Sequence, residues 1–372
     1  MSRLAELIEE LCPDGVEYKP LSECVVLPSI PSGLKRNQYE NSGSYPIVDQ
    51  GRGKIAGFTC DETKLVRDVP GIVFGDHTRE IKYVDYFFVP GADGVKWIRT
   101  VDGISIRYLF HCLTSLSIPS RGYNRHWILV REMLIPVPPL EVQREIVRIL
   151  DQFTTLEAEL EAELEARRTQ YEHYRNHLLS YESLADCGPV SLVPLRECIE
   201  LCFGERITKT QHAGTLYPVY GGGGASFMTD SFNRADEFVI SRFALSEACV
   251  RFVSGEFWLL DSGITFNVNE LCCDKRYVGQ FLLSRQNDIY RRSAGAAQRN
   301  LKIAEFLSME VPLPGLAGQR RIADLLDRFD ALVNDISSGL PAEIAARRAQ
   351  YEHYRDRLLS FPEKAASGDD VP

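Results

Sequence analysis

Nowhere in the sequence is there an apolar run approaching the roughly 20 residues that a membrane-spanning helix needs. The start, residues 1–12, reads as a short amphipathic helix with Glu6, Glu9 and Glu10, and lacks the basic start and apolar core of a secretory leader. A cytoplasmic protein is expected. Ten cysteines without such a leader point to reduced thiols. Neither Cys198 with Cys202 nor the adjacent Cys272 and Cys273 is followed by a second pair at zinc-site spacing, so the plain reading is buried or incidental thiols and no metal. Gly221-Gly222-Gly223-Gly224 runs into Ala225, not into the Gly-Lys-Ser/Thr end of a phosphate loop, and reads as a turn. The His-Glu-x-x-His of a zinc hydrolase is missing, as is any Asn-Pro-Pro-aromatic or Asp-Pro-Pro-aromatic tetrapeptide suited to amino-methylation. Glu62-Thr63-Lys64 has the spacing of half a nuclease motif, a tripeptide common by chance. These gaps argue against a solitary catalyst.

An excess of positive charge is lacking too. The formal charge is −10, with a pI near 5.4, which looks wrong for a nucleic-acid binder until the charge is located. Residues 141–182 carry −5 of it, with Glu157, Glu159, Glu161, Glu163 and Glu165 in one run, most simply a solvated helix surface. Residues 21–140 carry +2 and residues 183–313 carry −2. A near-neutral module can still present a local basic face.

What the chain does have is an internal repeat. Tyr171-Glu172-His173-Tyr174-Arg175 returns as Tyr351-Glu352-His353-Tyr354-Arg355, preceded by Arg167-Arg168 and Arg347-Arg348 and followed by Leu178-Leu179-Ser180 and Leu358-Leu359-Ser360. Upstream, Ile135-Pro136-Val137-Pro138 answers Val311-Pro312-Leu313-Pro314, and Gln143-Arg144 answers Gln319-Arg320. The large segments between correspond weakly: Pro20 to Cys24 matches Pro194 to Cys198, and Tyr45-Pro46 matches Tyr217-Pro218. One framework carries two diverged modules, the organisation of a bipartite binding protein.

In the first helical copy Ile146, Ile149, Phe153, Leu156, Leu160, Leu164, Tyr171, Tyr174, Leu178 and Tyr181 recur in steps of three and four, one stripe of a helix ~57 Å long. The second runs Ile322, Leu325, Phe329, Leu332, Ile336, Leu340, Ile344, Tyr351, Tyr354, Leu358 and Phe361. It is four residues longer between its Phe and its Arg pair, a stutter, and Gly339 and Pro341 there predict a kink or break. A single stripe on so long a helix needs a partner, and the matched copy in the same chain is at high effective concentration. The expected fold is mixed α/β (α+β), with two modules alternating with two long helices that pair as an antiparallel coiled coil. Expected boundaries are 1–138 for the first module with its N-terminal helix, 139–183 for the central helical region, 184–314 for the second module, 315–363 for the distal helical region and 364–372 for a flexible tail.

Within the modules, Gly71–Gly75, Tyr83–Val89, Glu237–Ser241 and Ala248–Val253 read as strands, Ile104–Leu116 and Tyr277–Ser284 as helices, and Pro31–Gly33, Gly51–Gly53 and Gly91–Gly94 as turns. Polar and basic loop residues are the candidate DNA contacts: Lys35, Arg36, Arg52, Lys54, His77, Arg79, Lys96, Arg121, Asn124 and Arg125 in the first module, and Arg206, Lys209, Tyr220, Arg242, Arg291, Arg292, Gln298, Arg299 and Asn300 in the second. Arg suits guanine edges, Asn and Gln suit adenine, and Lys suits phosphate. Taken singly, each is better explained by surface solvation. The clusters Arg121–His126 and Arg291–Asn300 stand out because both lie just before a Pro-containing junction with a long helix.

Three features together resemble the specificity subunits of type I restriction–modification systems across essentially the whole chain. They are the opening Leu11-Cys12-Pro13-Asp14-Gly15-Val16-Glu17-Tyr18, the junction Ile135 to Gln143 with its echo near Val311, and the doubled Arg-Arg-x-Gln-Tyr-Glu-His-Tyr-Arg block. Phe74-Gly75-Asp76-His77-Thr78-Arg79 and Gly91 to Lys96 are similar to one class of target recognition domain. The resemblance implies two target recognition domains, each reading half of a bipartite asymmetric site on double-stranded DNA, with the helices as spacer. It implies two methyltransferase (modification) subunits bringing S-adenosylmethionine, and motor–nuclease (restriction) subunits bringing ATP and Mg2+, with no cofactor on this chain. The competing expectation is a bivalent scaffold for protein or carbohydrate, supported by the acidic pI.

Overall fold

The computed structural model describes residues 3–92, 94–122, 124–243, 245–295, 299–334 and 339–364. It divides into two compact units, residues 1–160 with 344–372, and residues 161–343. Each unit holds one module and a stretch of both helical regions.

The first unit runs α1 (Arg3–Leu11), β1 (Glu17–Pro20), α2 (Leu21–Cys24), β2 (Val25–Val26), β3 (Tyr45–Val48), β4 (Gly57–Thr59), β5 (Gly71–Gly75), β6 (Ile81–Val84), β7 (Val89–Pro90), β8 (Val95–Thr100), α3 (Ile106–Ser115), α4 (Trp127–Val130) and β9 (Leu134–Val137), then enters α5 (Leu140–Leu178). A four-stranded antiparallel sheet of order β2-β8-β5-β6 lies beside a three-stranded sheet β4-β3-β7 whose β3–β7 pair is parallel. All five residues of β5 are buried, as expected of an apolar run in a sheet covered on both faces. The strand expected over Tyr83–Val89 is two strands. The chain leaves one sheet after Val84 and joins the other at Val89, and Phe87 is exposed in between. The helix expected over Ile104–Leu116 starts at Ile106, because Ser105 caps it by accepting from the Tyr108 amide.

The second unit continues with α6 (Tyr181–Ala185), β10 (Ser191–Pro194), α7 (Leu195–Cys198), β11 (Ile199–Phe203), α8 (Lys209–His212), β12 (Tyr217–Gly221), β13 (Gly224–Thr229), β14 (Arg234–Ser241), β15 (Val250–Leu259), β16 (Gly263–Val268), α9 (Lys275–Ser284), α10 (Gln286–Arg291), β17 (Ser293–Ala294), β18 (Asn300–Leu301), α11 (Ile303–Leu307), β19 (Glu310–Leu313), α12 (Leu316–Asn334) and the start of α13 (Leu340–Leu358). Its main sheet has six strands, in the order β11-β16-β14-β15-β12-β13.

The framework that joins module to helix is built twice from corresponding residues. β1 pairs antiparallel with β9, Glu17 opposite Val137, as β10 pairs with β19, Ser191 opposite Leu313. Buried Tyr108 donates to the Pro136 carbonyl (3.1 Å) and buried Tyr277 to that of Pro312 (2.6 Å). Buried Gln143 accepts from the Ser105 amide (2.8 Å) and donates to the carbonyls of Gly103 (2.9 Å) and Pro138 (2.8 Å). Gln319 does the same with Asp274 N (2.9 Å), Cys272 O and Pro314 O (both 2.8 Å). Asp151 meets Arg107 and His111, each at 2.9 Å, where Asp327 meets Arg276 (2.9 Å) and Gln280 (3.1 Å). The third partner repeats as well: Tyr351 lies 3.1 Å from the His111 ring and Tyr171 3.4 Å from Gln280. Burial pushes the Tyr171 phenol up to about 12.

α5 is one helix of 39 residues, ~58 Å by its rise per residue. Tyr181, expected on its stripe, instead begins α6, where Ser180 caps a new helix. In the distal copy α12 ends at Asn334 and α13 starts at Leu340, and Gly339, where a kink or break is expected, is a bend outside both helices. Pro341 sits in the first turn of α13, where its missing N–H costs nothing. Positions 335–338, including Ile336 of the stripe, lie outside the described residues, as do 365–372 of the expected tail.

Helix pairing is antiparallel within each unit. In the first, Phe153 stacks on Tyr354 (centroids 5.4 Å apart) while Glu157 meets Arg348. In the second, Phe329 stacks on Tyr174 (6.5 Å), the repeat-related pair, and Leu164, Leu178, Val333 and Leu326 share the core. The pairing leaves part of the stripe uncovered, with Leu156, Tyr174, Leu325, Leu332 and Tyr354 exposed.

Candidate nucleic-acid interface

In the first unit the candidate residues sit on loops that buried polar groups draw together at one end of the sheets. The turn carrying exposed Lys35 and Arg36 is tied to the β7–β8 loop, since Leu34 N donates to Pro90 O (3.0 Å) and Ala92 N to the Tyr39 hydroxyl (2.9 Å). Arg52 and Lys54 stand exposed on the β3–β4 loop, Arg52 lying 3.9 Å from Glu80. Gln50 fastens that loop to the β5–β6 turn: its side chain accepts from His77 N (3.2 Å) and its carbonyl from Thr78 Oγ1 (2.5 Å). Lys82, almost fully buried, donates to Asp49 O (2.7 Å), and burial pulls its ammonium below the ordinary lysine value. Arg79 takes a positive φ of 66° in the turn, and its guanidinium donates to Ile118 O (2.9 Å). Lys96, expected on a loop, is instead the second residue of β8, half-buried opposite Phe74. Arg121, Asn124 and Arg125 are exposed on the loop before α4, and His126 N donates to Asp76 O (2.8 Å), bringing this loop to the same place. Asp93 of the Gly91–Gly94 turn lies outside the described residues.

The second unit gathers a different set. Ser262 collects the Gly222 amide on its hydroxyl (3.3 Å) and the Arg242 amide on its carbonyl (2.9 Å). Leu260 N donates to Tyr220 O (2.9 Å), Trp258 Nε1 to Glu205 O (2.9 Å) and Leu301 N to Arg242 O (2.9 Å). The segments bearing Arg206, Tyr220, Arg242 and Asn300 thus share one end of the six-stranded sheet. Lys209 is exposed at the start of α8. The Arg242 guanidinium lies over both Phe203 (5.0 Å) and Phe243 (4.7 Å), a cation–π placement. Arg291 is exposed beside Asp288 (3.7 Å), and Arg292 reaches back to Glu305 O (3.4 Å). Arg299 is turned inward: it donates to Ser293 Oγ (2.7 Å), Ser293 O (2.9 Å) and Tyr290 O (3.3 Å), and lies 4.5 Å from the Tyr290 ring. Its side chain holds the β17–β18 hairpin. Gln298 lies outside the described residues.

Sequence reasoning missed the fasteners Gln50, Asp76, Lys82, Arg251 and Ser262. Half-buried Arg251 donates to Gly222 O, and burial lowers its pKa. The available signal was polar residues directly abutting apolar strand runs, as Asp76 abuts Gly71–Gly75. Cys198 and Cys273 are buried and Cys272 exposed. Among the described residues no group of His, Cys, Asp or Glu is arranged to hold a metal ion, and no helix is long and apolar enough to cross a membrane.

Two loop sets, differently composed and fastened to one repeated framework, agree with comparisons to known proteins. Residues 31–166 and 229–346 match the family described as the type I restriction modification DNA specificity domain. The chain is 28% identical to the EcoR124I/EcoR124II specificity subunit of Escherichia coli, over 97% of this chain and 98% of that one. It is also 28% identical to a putative type I specificity subunit of Haemophilus influenzae, over 93% and 96%. In fold it is similar to the type I S subunit from M. genitalium, with a TM-score of 0.59 at 15% identity, covering 93% of this chain and 96% of that one. A second solved structure, concerned with assembly of the type I R-M system, gives 0.53 at 16% identity, covering 94% and 98%. The chain belongs to the family of type I restriction–modification DNA specificity subunits.

Proposed function

We propose that this chain reads a bipartite, asymmetric site on double-stranded DNA, each module taking one half, with the paired helices as spacer. The observation that carries the reading is the framework of Tyr108, Gln143 and Asp151 repeated as Tyr277, Gln319 and Asp327 under two unlike loop sets. A shared frame with different loops suits two different half-sequences. Half-sites on one duplex face are ~34–36 Å apart per helical turn, within the length of α5. Exposed arginines and Asn124 supply base-edge partners, and Lys35, Lys54 and Lys209 supply phosphate partners that make binding salt-sensitive.

The uncovered seam residues Leu156, Tyr174 and Leu332 offer apolar surface to two methyltransferase subunits. In this reading adenine methylation with S-adenosylmethionine belongs to those subunits. ATP- and Mg2+-dependent cleavage belongs to motor–nuclease subunits, the chain itself is non-catalytic, and the complex is cytoplasmic.

The test is single-molecule sequencing of DNA from cells expressing the chain with its methyltransferase, against cells lacking the chain. A bipartite N6-methyladenine motif that disappears with the chain is expected. No change in a confirmed complex would transfer the argument to a bivalent scaffold. Inserting four residues near Leu164 should alter the gap and leave both half-sequences intact; an unchanged gap sinks the spacer role.

A further inference from the structure

His126 is fully buried, and both of its ring nitrogens meet main chain. Nδ1 lies 2.9 Å from Asp76 O, and Nε2 lies 3.1 Å from Arg121 N. A carbonyl can only accept and an amide N–H can only donate, so Nδ1 carries the proton and Nε2 presents its lone pair. The ring therefore ties Arg121 to the end of β5, and Asn124 and Arg125 lie on the same stretch of chain. The Asp76 carboxylate is engaged by Trp127 N (2.8 Å).

The second unit fills the same place with an apolar side chain. Leu301 N donates to Arg242 O (2.9 Å) as His126 N donates to Asp76 O (2.8 Å), and the buried side chain is leucine. Arg299 is held there instead by Ser293 and Tyr290.

We propose that His126 is the positioning residue for the first module's Arg121, Asn124 and Arg125, and that losing its bond to Arg121 N frees them and weakens reading of that half-site alone. The second clause rests on the DNA-reading function proposed above; the first does not.

The test uses the full chain as wild type, H126Q and H126L at a single pH. Amide hydrogen exchange is followed at Arg121 and at 299–301. In H126L, the second unit's choice, the acceptor is gone and protection at Arg121 should fall roughly tenfold, the size of one lost buried bond, while 299–301 holds. In H126Q, Oε1 reaches the Nε2 position and accepts from Arg121 N, so protection should return towards the wild-type value. Undiminished protection at Arg121 in H126L, or a fall in H126Q as large as in H126L, overturns the positioning role. Binding by the chain with its methyltransferase is then compared on the mapped duplex with either half scrambled. H126L should erase discrimination at one half and leave the other, and H126Q should restore it. Symmetric loss, or no loss while the loop opens, overturns the half-site claim. If no DNA site is found at all, the DNA reading fails while the exchange result still decides the role of His126.

Discussion

Removing the Gln143 side chain should detach the first module from its helix more than any exposed substitution can. Gln143 is buried and makes three hydrogen bonds, all to main chain: one from Ser105 N and two to the carbonyls of Gly103 and Pro138. At a net ~1 kcal/mol per bond, Gln143→Ala costs about 3 kcal/mol, and more where the stranded groups stay dry, since each unpaired buried partner costs ~1–3 kcal/mol. Gln143→Glu keeps the shape but sets a carboxylate against two carbonyls, so its loss should be larger. Gln319 makes the same three bonds, so Gln319→Ala should cost the same to within ~1 kcal/mol, in the other unit. A chain of two units does not unfold in one step. The measurement is therefore urea unfolding read unit by unit, by hydrogen exchange of peptides from residues 95–115 and 264–284. A loss below ~1 kcal/mol for Gln143→Ala would refute the clamp, as would destabilisation appearing equally in both peptides.

Three further outcomes are expected. Burial holds the His111 imidazole below its ordinary value, against the raising effect of Asp151, so the unfolded chain binds the proton first as pH falls. The contribution of His111 is full above ~6.5 and is lost on acidification below it. His111→Gln, which copies Gln280, should flatten that slope in a pH series of first-unit stability, and an unaltered slope would count against the assignment. Arg299→Ala should loosen the β17–β18 hairpin by ~1–3 kcal/mol, seen as faster exchange at residues 293–301 with little dependence on salt; a purely salt-dependent loss of DNA affinity would mean that Arg299 contacts phosphate. Arg125→Ala, at an exposed position, should leave stability unchanged and weaken discrimination at one half-site by ~1–3 kcal/mol, and equal weakening at both halves would contradict a base-reading role.

Much of the architecture was legible because it was written twice. Repetition marked the helices, the Pro-containing junctions and Gln143 with Gln319, and the three-four spacing gave the stripe whose Phe153 and Tyr354 stack as Phe329 and Tyr174 do. The break near Gly339 followed from backbone chemistry. Tyr181 was misplaced because its spacing continues the stripe while the capping hydroxyl of Ser180 ends it. The strand over Tyr83–Val89 was read as one because apolar and aromatic residues continue through a change of sheet. The loops were harder. An arginine count treats Arg125 and Arg299 alike, yet one is exposed and the other is locked to Ser293 and Tyr290, a difference set by a hairpin closing around it. The fasteners Gln50, Asp76 and Ser262 act through contacts distant in sequence, which no local pattern announces.

Every bond that Gln143 and Gln319 make is to a peptide group, and a peptide group is the one part of a residue that substitution leaves in place. The same holds for Tyr108 and Tyr277, which donate to proline carbonyls. At these bonds the socket on the helix is blind to the sequence of the domain plugged into it, and side-chain identity enters the joint where Asp151 meets Arg107 and His111 and Asp327 meets Arg276 and Gln280. Loop chemistry can drift without disturbing the backbone bonds. The joint between module and frame thus turns on a few side chains and leaves the loops free to differ.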